Sequence, residues 1–288
     1  MDLLLGPLFE PFGLPFMQRG MLAVVLVGVT CGVVGAYVVL RGMALFGDAL
    51  AHAVFPGVVV AYLLSLHVAV GALVAGCATV LGISLVARHT SLRDDTAMGI
   101  FYAGAFSLGV VLLSTTRSYA RDLASFLLGD VLGVAPEDLA LMAGLSLVVL
   151  AVTARLYRAF LVTTFDPEYG KASGLPVFWL DVALLLLLAL TVVVALRTVG
   201  TVLVVALLVI PAATARLWTG HLVAMMAVGA VLGAAAGVGG LLVSYYLNAP
   251  SGATVVLVAT ALFVLSFVLA PGGARRRARA SREVVAVG

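Results

Sequence analysis

The sequence predicts an all-α fold, a polytopic bundle of about eight or nine transmembrane helices, and three observations carry that expectation. Of the 288 residues, 64% are hydrophobic and 10% are charged, against roughly 45–50% apolar and about 25% charged residues in a soluble globular chain. Apolar stretches of about 20 residues, enough to cross roughly 30 Å of hydrocarbon, recur along almost the whole sequence. Gly, Pro and clusters of charge punctuate them. A soluble single domain is excluded. The formal net charge of +3 would be weak evidence for nucleic acid even in a soluble protein. Here the basic residues mark membrane orientation instead, and no nucleic-acid partner is implied.

Taken in order, the first helix runs from Gly20 to Leu40 and closes at Arg41–Gly42. The second, Leu45 to Leu66, ends before His67, and the third, Val68 to Ala87, stops at Arg88–His89. Ala97 to Ser114 opens behind Asp94 and Asp95, and Glu137 to Phe160 opens behind Pro136, which suits a helix start. Leu175 to Leu196 ends at Arg197, Gly200 to Leu217 follows, and His221 to Leu247 closes at Asn248. Ser251 to Ala270 completes the set before Pro271. Between the fourth and fifth helices, Ser125 to Val134 is too short to span and reads as a re-entrant or lateral piece. The opening MDLLLGPLFEPFGLPFMQRG lacks the basic-then-apolar order of a cleaved leader, so the first apolar segment is expected to remain as a helix. Cys31 and Cys77 both lie inside apolar stretches, where small thiols pack, and no disulfide is expected.

Nine crossings with the tail ARRRARASR inside place Arg41, Arg88, Arg93, Arg155, Arg158, Lys171, Arg216 and the five tail arginines on the cytoplasmic side. Arg19, Arg117, Arg121 and Arg197 fall outside, a 12 to 4 split of the 16 Lys and Arg residues that puts the N-terminus outside. Residues 1–272 read as one membrane domain and 273–288 as a basic, disordered cytoplasmic tail. Gly229, Gly233 and Gly237 recur every four residues, the signature of a close-packing helix face.

The chemistry concentrates in the second helix, where GDALAHAVFPG sets Asp48 and His52 four residues apart on one face. A carboxylate at membrane depth is costly and almost always faces a bundle interior or a watery cavity. Carboxylate with neutral imidazole suits Zn²⁺, Mn²⁺ or Fe²⁺; the plain alternative is an Asp–His contact that only ties helices together. Pro56 cannot donate to the His52 carbonyl, so a helix break beside the pair is expected, as at ion sites in membrane transporters. Asp181 reads as structural, Asp130 as a loop carboxylate, and His67, His89 and His221 lack metal-ligand spacing. In FDPEYGKASGLP, Asp166 can cap a helix, Pro167 fits its first position and Gly174 can close it, so a short helix bearing Glu168 and Lys171 on the basic face competes with a plain turn. The only lysine, Lys171, is followed by Ala172, so no phosphate-binding loop exists and the chain is not itself an ATPase. GxSxG and HExxH motifs are also missing, which leaves membrane hydrolase or protease chemistry without support.

These residues give a resemblance. LRGMALFGDALAHAVFPGVVVAYLL, DDTAMGIFYAGAFSLGVVLLS, FDPEYGKASGLP, VGTVLVVALLVIPAATARL and VSYYLNAPSG together resemble the permease subunits of bacterial ABC importers for zinc, manganese and iron. The resemblance implies a fold similar to vitamin B12-type (type II) importers, in the cytoplasmic (inner) membrane, as a homodimer of permeases among membrane lipid. It implies two cytoplasmic ATPase subunits and an extracellular metal-binding delivery protein as partners. No permanently bound cofactor is implied; a divalent metal ion passes through as cargo. Asp48 and His52 match the family's intramembrane metal-coordinating pair, and Asp166 to Gly174 match its ATPase-docking element. An ion-gradient-driven secondary transporter could use the same pair, but such folds are often built from internal repeats, and no convincing one is visible.

Overall fold

In a computed structural model that describes residues 10–90, 94–114 and 131–270, every regular element is helical. Eight helices among the described residues are long and apolar enough to cross a membrane. After a short 3₁₀ turn at Glu10–Gly13, α1 spans Pro15–Leu40, and α2 (Ala44–Ala53) and α3 (Phe55–Leu63) together form the second crossing. Then come α4 (Val68–His89), α5 (Asp94–Ser114), α6 (Pro136–Arg155), and two short helices, α7 (Tyr157–Phe165) and α8 (Pro167–Ala172). The long helical segment Val177–Trp218 divides into α9 (Val177–Leu196) and α10 (Leu203–Trp218), followed by α11 (Leu222–Leu247) and α12 (Ser251–Leu269).

The expected fifth helix, Glu137 to Phe160, stops at Arg155, because Leu156 (φ −97°, ψ 7°) leaves helical geometry and the chain restarts as α7. The expected Gly200 to Leu217 crossing is only partly realised: α10 is shorter than the eight spanning helices. Its 16 residues reach about 24 Å, short of a hydrocarbon layer of roughly 30 Å. Asp130, Arg117, Arg121, the tail from residue 273 and most of the Ser125 to Val134 piece lie outside the described residues. Within its described part, Val131 is fully buried against Met17 and Met21 near the start of α1 and Leu241 on α11.

Two packing facts set the topology. First, α1 and α11 run antiparallel with glycine facing glycine: a Cβ built on Gly28 would lie 2.5 Å from the Gly233 carbonyl carbon, Gly32 faces Gly229, and Val24 faces Gly237. Such close backbone approach maximises dispersion contact where no hydrophobic drive separates helix from lipid. Second, Val177–Trp218 cannot be one straight rod. Its 42 residues would extend about 63 Å, yet Asp181 pairs with Arg41 while Ala212 abuts Gly35, only six residues away on α1. The chain folds back at Gly200, whose φ of 74° is one that L side chains rarely adopt. With α11 antiparallel to α1 and α12 returning after the left-handed Asn248, the start of α1 and the end of α12 lie at opposite faces. Opposite faces require an odd number of passes, and among the described residues the short α10 adds one to the eight long helices.

The seam yields a prediction. Gly233→Val forces a side chain into the α1 backbone and is expected to cost about 1–3 kcal/mol or more through overpacking. Gly144→Ala, at a position with nothing within 4 Å of an added Cβ, is expected to be neutral or slightly stabilising. Thermal unfolding of detergent-solubilised protein checks both; an unchanged midpoint for Gly233→Val would contradict the seam.

Candidate functional site

Asp48 and His52 sit one helical turn apart on α2, with Asp48 Oδ1 3.6 Å from His52 Nε2. At that separation the groups face each other without a hydrogen bond that would saturate either. The Asp48 side chain is half exposed and that of His52 is 24% exposed. The pair therefore opens outward from this chain rather than into its core. Among the described residues no three His, Cys, Asp or Glu side chains come together as a metal-holding group. Among the described residues, one copy brings together two candidate ligand side chains here.

Three neighbours fix the helix that carries them. On one side α10 places Leu208 against Gly47, and on another α4 meets α3 where Gly57 and Gly71 bring the backbones together. From α5, Gly109 admits the ring of Phe55 and approaches the Pro56 nitrogen. Pro56 supplies no N–H to the His52 carbonyl, and the helix is interrupted there at one residue, Val54. The interruption is milder than a break into extended chain. Val54 keeps right-handed helical dihedrals (φ −75°, ψ −14°), because its own N–H still reaches Leu50 O at 3.1 Å and its carbonyl still accepts from Val58 at 3.2 Å.

The sequence reading missed the aromatic frame around His52. Tyr102 and Phe106, four residues apart on one face of α5, place their ring centroids 5.7 and 5.6 Å from the imidazole, Phe106 edge-on at 85°. A framed imidazole loses rotamers, so its free nitrogen is held in position before any ligand arrives. The i, i+4 spacing of Tyr102 and Phe106 was the available signal, but nothing in it names α2 as the partner.

Asp181 is not free in the membrane: its Oδ1 accepts from Arg41 Nη1 at 2.6 Å. Arg41 also donates from Nε to Thr164 Oγ1 (3.0 Å) and from Nη2 to Thr163 Oγ1 (2.9 Å). Arg88 lies 4.6 Å from the centroid of the Phe178 ring, so the end of α4 meets the start of α9 on that face as well. His89 Nδ1 is satisfied locally by the Leu85 carbonyl at 2.9 Å.

On the same face the segment from Asp166 forms a capped helix, α8. Asp166 Oδ1 accepts from Tyr169 N at 2.9 Å, Pro167 occupies the first turn, and Gly174 (φ 78°) ends it by donating to Lys171 O at 3.0 Å. Glu168 and Lys171 pair at 2.9 Å on its exposed side. That bond and the charge of Glu168 hold the Lys171 ammonium above the usual lysine range. Gly170 is buried towards Val162, Thr163 and Val177, while Tyr169 and Phe165 are each 61% exposed. The element thus has a packed inner side and an exposed side bearing Tyr169, Glu168 and Lys171, with exposed Phe165 at the end of α7 just before it.

A family model described as the ABC 3 transport family matches residues 13–270. The chain belongs to that family. As an ABC 3 transport protein it is a multi-pass membrane permease and not the ATP-hydrolysing subunit. Permeases of this kind work with ATPase and binding-protein partners. The manganese transport system membrane protein MntC of Halalkalibacterium halodurans is 43% identical over 256 residues, 89% of this chain and 88% of that protein. The chelated iron transport system membrane protein YfeD of Yersinia pestis is 34% identical over 268 residues, 93% of this chain and 90% of that protein. Among solved structures, PsaBC from Streptococcus pneumoniae in complex with Fab contains a chain similar to this one. The TM-score is 0.84 at 35% identity, covering 93% of this chain and 96% of that chain.

Proposed function

We propose that this ABC 3 permease carries a divalent transition-metal ion across the cytoplasmic membrane, with Asp48 and His52 as its transient ligands. The observation that carries the reading is the outward-opening pair, 3.6 Å apart, with no third His, Cys, Asp or Glu brought to it among the described residues. Two ligands on one copy become four when a second copy faces the first across a two-fold axis, the number a tetrahedral metal takes. A site made from two subunits forms and dissolves as they tilt, which suits cargo that must leave. Carboxylate plus imidazole accepts Mn²⁺, Fe²⁺ and Zn²⁺ alike, consistent with relatives named for manganese and for chelated iron.

In this reading α8 is the docking element for a cytoplasmic ATPase, and closure of the ATPase pair tilts the helices so that the site opens first to an external delivery protein and then to the cytoplasm. Support for the docking role comes from the capped helix with exposed Tyr169, Glu168 and Lys171, next to exposed Phe165 at the end of α7, on the arginine-rich face.

Proteoliposomes containing the permease and its ATPase test the assignment with isotopically labelled Mn²⁺, Fe²⁺ and Zn²⁺. Uptake of at least one ion is expected to require ATP and to survive a protonophore. Uptake that follows an imposed ion gradient without ATP would replace this reading with the secondary-transporter alternative.

A further inference from the structure

The hydrogen bonds of Arg41 join three pieces of chain that the proposed transport cycle has to move together. Arg41 follows α1 directly, and its backbone N–H caps that helix by donating to Tyr37 O at 2.9 Å. Gly42 then turns the chain with φ 69°, Met43 donates back to Val38 O at 2.9 Å, and α2 begins at Ala44. Only two residues separate Arg41 from the helix that bears Asp48 and His52. Its side chain reaches the other way. Thr163 and Thr164, its two hydroxyl partners, lie in α7 just before α8, and Asp181, its carboxylate partner, lies in α9 just after α8. One guanidinium therefore holds both the entrance and the exit of the exposed helix, while its backbone caps α1 two residues before the helix that bears Asp48 and His52. The Arg41 side chain is 13% exposed, and its three donor atoms are spent on three different acceptors.

We propose that Arg41 is the positioning residue that transmits displacement of α8 to α2, a role resting on the docking reading given above. The geometry asks for arginine in particular. A rigid planar fork with donors on three nitrogens fixes the direction of each partner, so α7 and α9 cannot shift without pulling on the fork. Lysine keeps the charge and can satisfy Asp181, but a single ammonium on a flexible stem imposes no such geometry. Gly42 has nothing within 4 Å of an added Cβ. With φ 69° at Gly42 and Met43 bonded back to Val38 O, this tight turn sets how α2 leaves the end of α1, directly beside the Arg41 side chain.

The experiment compares Arg41→Lys and the double variant Thr163→Val/Thr164→Val with wild type, each purified and reconstituted as the permease–ATPase complex. Three quantities are read: ATPase captured, ATP hydrolysed, and labelled Mn²⁺ transported per ATP. Expected for Arg41→Lys are normal capture, hydrolysis at or above the wild-type rate, and transport per ATP reduced about fivefold, in the range set by broken coupling networks. The threonine variant, which leaves the Arg41–Asp181 pair in place, is expected to fall about twofold to threefold. Transport per ATP within experimental error of wild type in either variant overturns the role. Loss of ATPase capture by Arg41→Lys overturns it too, because Arg41 would then shape the docking surface rather than transmit its movement. If Arg41→Lys does not accumulate, the threonine variant decides by the same ratio. Failure of the docking reading itself appears elsewhere, as normal ATPase capture by variants of Tyr169 and Glu168.

Discussion

Asp48→Asn and His52→Ala are each expected to reduce metal uptake about 100-fold or more at subsaturating metal, since even outer-sphere changes at metal sites cost roughly 10–100-fold. The two-fold symmetry of the proposed site makes the effect steep. In a homodimeric site a single substitution removes two of four ligands at once. The Asp48 side chain is half exposed, so replacing it with an isosteric amide leaves the α2 packing at Gly47 and Leu50 intact. His52 is different, because its ring fills the frame made by Tyr102 and Phe106. His52→Phe keeps an aromatic ring in that frame and removes only the ligand nitrogen. It is expected to lose uptake as severely as His52→Ala, which separates coordination from packing. Leu45→Ala, at a position 74% exposed one turn before Asp48 and carrying no ligand atom, provides the control and is expected to keep near-normal uptake. Isotopic uptake by complexes that retain their ATPase checks all four variants. Near-normal uptake for both Asp48→Asn and His52→Ala would return the pair to a helix-tying role.

The second large effect is expected at α8. Tyr169→Ala is predicted to weaken capture of the ATPase about 30-fold, equivalent to the roughly 2 kcal/mol of an interface hot spot, with uptake falling in parallel. Tyr169 is an exposed aromatic on a helix whose other side is packed, so its removal takes away contact area without opening the core. A complementary variant, Glu168→Lys with Lys171→Glu, keeps an ion pair at the i, i+3 spacing seen at 2.9 Å. It inverts the charges shown to a partner and places them against the helix dipole, a cost of a few tenths of a kcal/mol up to about 1 kcal/mol at an exposed end. Circular dichroism and expression are expected to stay near wild type while capture falls. If co-purification with the ATPase is unaffected by both variants, α8 is a connecting element only.

Much of the fold was legible because membrane solvent enforces it. Backbone groups in hydrocarbon must bond within their own segment, so apolar runs between charged turns become helices almost regardless of neighbours. The starts of α4 and α12 and the ends of α1 and α11 coincide with those read from punctuation alone. The shortfall of α10 was not legible, because Gly200 looks like an ordinary spacer until α9 and α10 are seen folding back against α1. Likewise the Gly229, Gly233 and Gly237 repeat announced a close-packing face, but only the packed bundle identified Gly28, Gly32 and Val24 as what it meets.

The candidate site divides along the same line. By itself the sequence determined that Asp48 and His52 share a helical face and that Pro56 disturbs the helix beside them, and it marked Asp166, Pro167 and Gly174 as the bounds of either a short helix or a plain turn. Each of these follows from helical periodicity or local backbone chemistry within a dozen residues. Tertiary structure alone decided that Tyr102 and Phe106 frame His52, that Arg41 binds Asp181 across 140 positions, and that Asp48 and His52 stay partly exposed rather than enclosed. Those contacts depend on which helices become neighbours, and hydrocarbon-compatible surfaces are too alike in composition for sequence to name the partner.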